Sequence, residues 1–439
     1  MERLFTLLFL PAIVLSTLML PSCQSVDEEI YNNEESSAQL QGDENYRSID
    51  EAIALAESTA ARLFPINESR SAQRHASKAN VKIIKGDEGR ANEGEALMYA
   101  VNFDNGEGFA LISRPRNVCD VLAVVPEGSF DEDEAEENPG VSLFMSCAKS
   151  YLSIGDDTLG IYEPIVVPGR DLGPCRVDTL MYYHLEPRLA NEWGQTGFIA
   201  QFCPNDTVGC GPLAIATVSV YLNYLEQSNT TLTYTFPERD INQQKINWTE
   251  LCRHKREFAY LPDKGFKPEI CYCEDKAAAH KTLARLCRQI GHDANAVYSL
   301  PDGTPGTGID PDVIPSVLRK YTPTKYTITG PRNFNCNELS RFIDNGLVVV
   351  TGFPIKGNGH TWVADGYEIL RTYEVYNRRT PEGLLERAER YTLSVLTYMH
   401  WGWNGYLDGF FSGNAFNIGS AYLNNNMTYV AASTHVVNN

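Results

Sequence analysis

The segment Val208-Gly209-Cys210-Gly211-Pro212 sets a thiol between two glycines and just ahead of the small residues Ala214 and Ala216. Glycines let the backbone bend sharply and approach a substrate closely, and Pro212 suits a first helical turn. The spacing predicts that Cys210 opens a helix, where the dipole and the free N–H groups favour the thiolate. Such a thiolate does acyl-transfer chemistry when a base stands beside it. The competing reading is a buried structural cysteine that starts a core helix. The flanking glycines speak against it, because they are expected to expose the thiol. Of eight histidines, His360 is the best placed base: it follows Gly357-Asn358-Gly359 and starts an apolar, strand-like run. Read alone, it is a loop histidine at a strand edge; paired with Cys210 it becomes a general base. An oxyanion needs donors. The backbone N–H of Cys210 is one, and Gln195, fifteen residues earlier in Trp193-Gly194-Gln195, can supply a side-chain amide as the second.

Positioning these groups takes two kinds of element. In residues 46–66, Ile49, Ala52, Ile53, Ala56 and Ala60 recur at helical spacing. Strand-like runs follow at 81–84, 96–103, 109–113 and 121–125, then an acidic loop over 127–137 and a helix over 141–154. This is a small α+β unit with no nucleophile motif. Val166 to Cys175, rich in Pro and Gly, reads as a linker. Beyond it, helices are expected over 210–225, 277–290, 311–321 and 336–344. Strands are expected at 347–353, 360–367, 374–376 and 391–403. Helices first and antiparallel strands later indicate α+β rather than a βαβ wind.

The chain has 439 residues, 43% of them hydrophobic, and a formal net charge of −19. That charge argues against a phosphate-binding surface, which needs clustered Lys and Arg. Arg3, an apolar stretch from Leu4 to Leu20, and Leu20-Pro21-Ser22-Cys23 together make a signal-peptide layout. The closing cysteine resembles a bacterial lipobox, so Cys23 is the expected lipidation site and the mature N-terminus. The acidic tether behind it resembles the surface-export signals of some bacterial lipoproteins. An ordinary signal peptide with an incidental cysteine is the alternative. Eleven cysteines leave an odd remainder after Cys23 and Cys210, hence at least one free thiol. Cys271, Cys273, His280, Cys287 and His292 match no standard zinc-finger spacing. Neither a metal nor a cofactor is expected.

Taken in order, Trp-Gly-Gln at 193–195, Cys-Pro at 203–204, Gly-Cys-x-x-x-Ala-x-Ala at 209–216, Gly-His-x-Trp-Val-x-Asp-Gly-Tyr at 359–367 and Trp-Gly-Trp-Asn-Gly-x-x-Asp-Gly-Phe-Phe at 401–411 resemble the streptopain-type cysteine peptidases, a papain-like group. The Cys210–His360 separation of 150 residues suits that group. Gly108-Phe109-Ala110-Leu111-Ile112-Ser113 and Glu127-Gly128-Ser129-Phe130 resemble its inhibitory propeptide. The resemblance implies an α+β, papain-like peptidase domain preceded by a small α+β pro-domain. The expected order is a signal peptide (1–22), a tether (23–45), a pro-domain (46–165), a linker with the activation cleavage (166–176) and a catalytic domain (177–439). It also implies Cys210 as nucleophile, His360 as base, Gln195 as oxyanion donor, and Trp401 and Trp403 shielding the histidine. The family's His-orienting Asn is replaced here by His400, which could orient His360 as a neutral imidazole with a coupled titration. The implied function is a secreted endopeptidase made as a zymogen. It would act on protein or peptide substrates, be inhibited by its own pro-domain, and be held at the membrane surface by lipid. A catalytically weakened binding module and a thiol acyltransferase are the alternatives.

Overall fold

The computed structural model describes residues 46–434, apart from 66–72, 88–93, 117, 155–169, 235–242, 258, 262–264, 300–304, 354–358, 380–384 and 417–426. The expected signal peptide, Cys23 and the tether lie outside the described residues. No described helix is long and apolar enough to cross a membrane.

Helix α1 (Ile49–Leu63) starts at a capping box, in which the Ser48 hydroxyl accepts from the Glu51 N–H and the Glu51 carboxylate accepts from the Ser48 N–H. Its buried stripe of Ala52, Ala56, Ala60 and Leu63 packs on an antiparallel meander of β1 (Val81–Lys85), β2 (Ala96–Asn102), β3 (Phe109–Ser113) and β4 (Val121–Val125). The expected acidic loop is partly helical. Asp131 caps α2 (Glu132–Glu137), and Glu132, Asp133 and Glu134 fill its first turn, where the helix dipole favours negative charge. Helix α3 (Pro139–Ile154) completes this unit.

The expected linker needs correction. From Arg170 the chain forms a long strand, β5 (Arg170–Leu185). Helices α4 (Cys210–Leu225) and α5 (Trp248–Arg253) follow, then a short ladder of β6 (His254–Arg256) with β7 (Ile270–Cys271), then α6 (Lys276–Asp293) and α7 (Ile314–Tyr321). The chain ends in β8 (Thr327–Asn333), α8 (Cys336–Ile343), β9 (Gly346–Gly352), β10 (His360–Arg379), β11 (Leu385–His400), β12 (Gly409–Ser412) and β13 (Thr428–Ser433). β5 pairs with β10 from Tyr367↔Leu185 to Arg379↔Arg170. It therefore belongs to the sheet of the C-terminal part.

One sheet runs through the whole molecule in the order β1-β2-β3-β4-β12-β11-β10-β9-β13-β8, with β5 beside β10. The seam between the two halves is β4 against β12, through Val124↔Phe410 and Ala123↔Phe411. Both faces of the central strands are covered, which is why 347–353 reads as an unbroken apolar run. Val348 and Val350 point to a core that includes Trp362, Trp401, Phe411 and Phe144 of α3. Leu347 and Val349 point to the opposite core, built from α4, α5, α6 and α7. Strand alternation thus separates two cores with a single strand between them.

Candidate active site

Gly209 caps α4 with φ at 89°, a conformation glycine adopts without strain. A Cβ at Gly209 would meet Thr307 Cβ at 2.5 Å, and one at Gly211 would meet Ile309 Cδ1 at 2.4 Å. The two glycines therefore admit the 307–309 segment against the start of α4, rather than opening the thiol to solvent as expected. Cys210 is the first residue of the helix and is partly exposed.

His360 begins β10 opposite Gly352 and is buried. Its Nε2 lies 2.9 Å from the Trp401 carbonyl oxygen. With Nε2 donating there, the neutral ring carries its lone pair on Nδ1. The ring stacks on Trp362 (centroids 6.0 Å apart, 15° between planes) and meets Trp403 edge-on at 6.4 Å. Trp362 in turn packs on the fully buried Trp401 at 5.1 Å. The imidazole also stands close enough to the Cys210 thiol to favour its charged form. Burial pushes that thiol up, but His360 and the backbone groups of Thr361 and Gly211 outweigh it and hold the thiol below its ordinary range.

The residue expected to orient His360 does something else. His400 pairs across the ladder with Val363, so its side chain shares the Val363 face. There His400 Nδ1 stands 3.4 Å from Asp408 Oδ2, and Nε2 stands 4.0 Å from Asp365 Oδ2. At these distances neither nitrogen makes a well-formed hydrogen bond, and the contacts are electrostatic. Burial pulls the His400 pKa down, but Asp408, Asp365 and Glu192 together raise it above the usual histidine value. Among the described residues no hydrogen bond joins His400 to His360, so the expected coupled titration of two adjoining neutral rings has no direct contact behind it. The group tied to His360 is the main chain one residue further on. Asp408 Oδ1 accepts the Trp401 N–H at 2.8 Å, and the Trp401 indole donates to the Leu407 carbonyl at 3.0 Å. Asp408 therefore braces the residue whose carbonyl holds the base.

The Gln195 carbonyl accepts the Val208 N–H at 2.8 Å, which ties its loop to the turn before Cys210. The Trp193 indole donates to the His254 carbonyl at 3.0 Å, and Gly194 lies against Asn404 of the Trp-rich block. A cavity of about 20 Å³ is lined by Trp193, Cys210, Trp362, His400 and Asp408. Asp365, fully buried, accepts the Arg188 and Leu189 N–H groups at 2.5 and 2.7 Å. Neither Asp365 nor Asp408 was singled out from sequence, although each sits inside a motif quoted above.

Residues 193–411 match the peptidase C10 family, and residues 48–151 match the Spi protease inhibitor family. The chain belongs to the peptidase C10, or streptopain, family: it is a cysteine peptidase preceded by an inhibitory propeptide domain, a zymogen. Among solved structures it is similar to a fragment of prointerpain A from Prevotella intermedia, a cysteine-to-alanine mutant, with 16% identity and a TM-score of 0.50. That match covers 82% of this chain and 99% of the other. At this identity the likeness is one of fold. No curated protein matches the chain.

Proposed function

We propose that Cys210 and His360 hydrolyse internal peptide bonds through a thioester. The observation that carries this is the thiol beside an imidazole whose Nε2 is tied to the Trp401 carbonyl. The Cys210 sulfur attacks the substrate carbonyl carbon, and the Cys210 N–H and the Gln195 amide stabilise the oxyanion. His360 gives its proton to the leaving amine as the C–N bond breaks. It then takes a proton from the water that attacks the thioester, and the thiolate departs. Trp362, Trp401 and Trp403 keep the base's surroundings dry. The test is mass spectrometry of the processed protein after incubation with an epoxide inhibitor of cysteine peptidases. One adduct on Cys210 is expected. No adduct would sink the assignment, and amine incorporation without cleavage would point to acyl transfer instead.

The same reading extends to export. The signal-peptide layout and the cysteine at its end support a lipoprotein anchored through Cys23 at the cell surface. Labelled fatty acid should enter the wild-type protein and be absent from Cys23→Ser. For activation, the pairing of β5 along β10 supports a cut ahead of Arg170, within 155–169. N-terminal sequencing of the processed enzyme checks this, and a start inside β5 would exclude it.

A further inference from the structure

The sequence spacing of Cys271, Cys273, His280, Cys287 and His292 gave no reason to expect a metal, but the fold assembles a different set. The β6–β7 ladder places Cys271 opposite His254, Glu269 directly precedes β7, and the first half of α6 carries His280. Ligand atoms of His254, Glu269, Cys271 and His280 all lie within 4.8 Å of one another. His254 is only 1% exposed, yet neither of its ring nitrogens has a hydrogen-bond partner, and Nε2 of His280 is likewise buried and unpartnered. Both Nε2 atoms face the same carboxylate oxygen: Glu269 Oε1 is 3.6 Å from His254 and 3.4 Å from His280. Lys276 holds the other oxygen of Glu269, which leaves Oε1 directed at the rings. Phe198 walls the cluster, stacked on His280 at 3.7 Å and edge-on to His254 at 4.7 Å.

Buried ring nitrogens without partners are costly and uncommon. We propose that His254, His280, Cys271 and Glu269 bind a zinc ion. Two imidazoles, a thiolate and a carboxylate are a tetrahedral zinc donor set. Ligand bonds of about 2.0–2.3 Å put ligand atoms roughly 3.3–3.8 Å apart, so the present cluster closes on the ion with side-chain shifts of about an ångström. The two anionic ligands offset the charge of the ion.

The site stands apart from the Cys210–His360 pair but reaches it through the main chain. The His254 carbonyl accepts the Trp193 indole N–H at 3.0 Å and the Asn191 amide at 2.7 Å. Phe198 belongs to the turn that follows Gln195, and its N–H donates to Glu257 at 2.8 Å. An ion that fixes β6 and Phe198 therefore braces both ends of the loop carrying Gln195.

The test uses the full-length Cys210→Ala protein, which neither processes itself nor offers a competing active-site thiol. It is loaded with Zn²⁺, gel-filtered and analysed for metal, and a parallel sample takes Co²⁺. One zinc per chain is expected, and the Co²⁺ form should show a thiolate-to-metal charge-transfer band with intense tetrahedral d–d bands. Cys271→Ser should abolish the charge-transfer band and His280→Ala should bring the zinc content close to zero, while Cys273→Ser should change neither. Cys271 and His280 are partly exposed, so these variants avoid the core position of His254. Zinc lost on gel filtration, or a charge-transfer band that survives Cys271→Ser or disappears in Cys273→Ser, would overturn the site.

Discussion

Cys210 and His360 share one site, but they stand on differently supported halves of the molecule. Behind Cys210 lies a core made by the peptidase alone: Leu213 and Ile215 of α4 against Leu283 and Leu286 of α6 and Leu318 of α7. Behind His360 lie Trp362 and Trp401, and behind them the propeptide. A Cβ at Gly140 of α3 would meet Trp401 Cε3 at 2.1 Å, and Leu143 of α3 lies against Gly352, the ladder partner of His360. Asn138 donates to the Tyr406 carbonyl at 3.1 Å, and the Tyr406 hydroxyl donates to Glu134. The nucleophile is thus held by its own domain, whereas the base is held by a core shared with the inhibitory segment. Removal of the propeptide acts first on the surroundings of the base.

The largest effect should come from His360→Ala, with kcat/KM lower by about 10³-fold. The same variant separates the two halves electrostatically. In the wild type the thiolate forms below the ordinary thiol range. Without His360, burial dominates, and alkylation of Cys210 should begin only at higher pH. An unchanged alkylation profile would break the comparison. Gln195→Ala lies on the nucleophile's side and should cost about 10²-fold in kcat, with no change in zymogen unfolding. Gly140→Ala tests the shared side: packing against Trp401 should destabilise the zymogen by about 1–3 kcal/mol and speed its processing. The processed enzyme should then show wild-type kcat/KM. Reduced activity after processing would mean that α3 stays with the mature form.

The smallest effect concerns His400. Its folded pKa is raised by Asp408 and Asp365, so its contribution is fully present below about 6.5 and is lost as pH rises through the folded value. The wild-type melting temperature should therefore fall across that window relative to His400→Asn. Parallel curves for the two proteins would remove the charged His400 from the account. Activity of His400→Asn should be preserved, because the contact on His360 comes from the Trp401 carbonyl.

Much of this was legible in the sequence. The helix that opens at Cys210, the strand that opens at His360 and the meander of the propeptide all follow from local spacing. What escaped depends on partners far along the chain. β5 hides in a Pro- and Gly-containing stretch, and only the distant β10 makes it a strand. The hold on His360 is a backbone carbonyl, which has no residue signature. Gly209 and Gly211 were read as opening space, when Thr307 and Ile309 fill it. The His254 cluster escaped because its ligands are gathered by a strand ladder and a helix rather than by a spacing motif.

The seam of β4 against β12 sets the terms of release. A cut ahead of Arg170 severs the chain but leaves Val124 and Ala123 hydrogen-bonded to Phe410 and Phe411. Nicking and liberation are then separate events, and a nicked, still-associated complex lies between them. Peeling β4 away turns β12 into a bare edge with two previously buried aromatic residues, the kind of strand that recruits another. A freshly liberated peptidase therefore carries an adhesive border that its propeptide had kept covered.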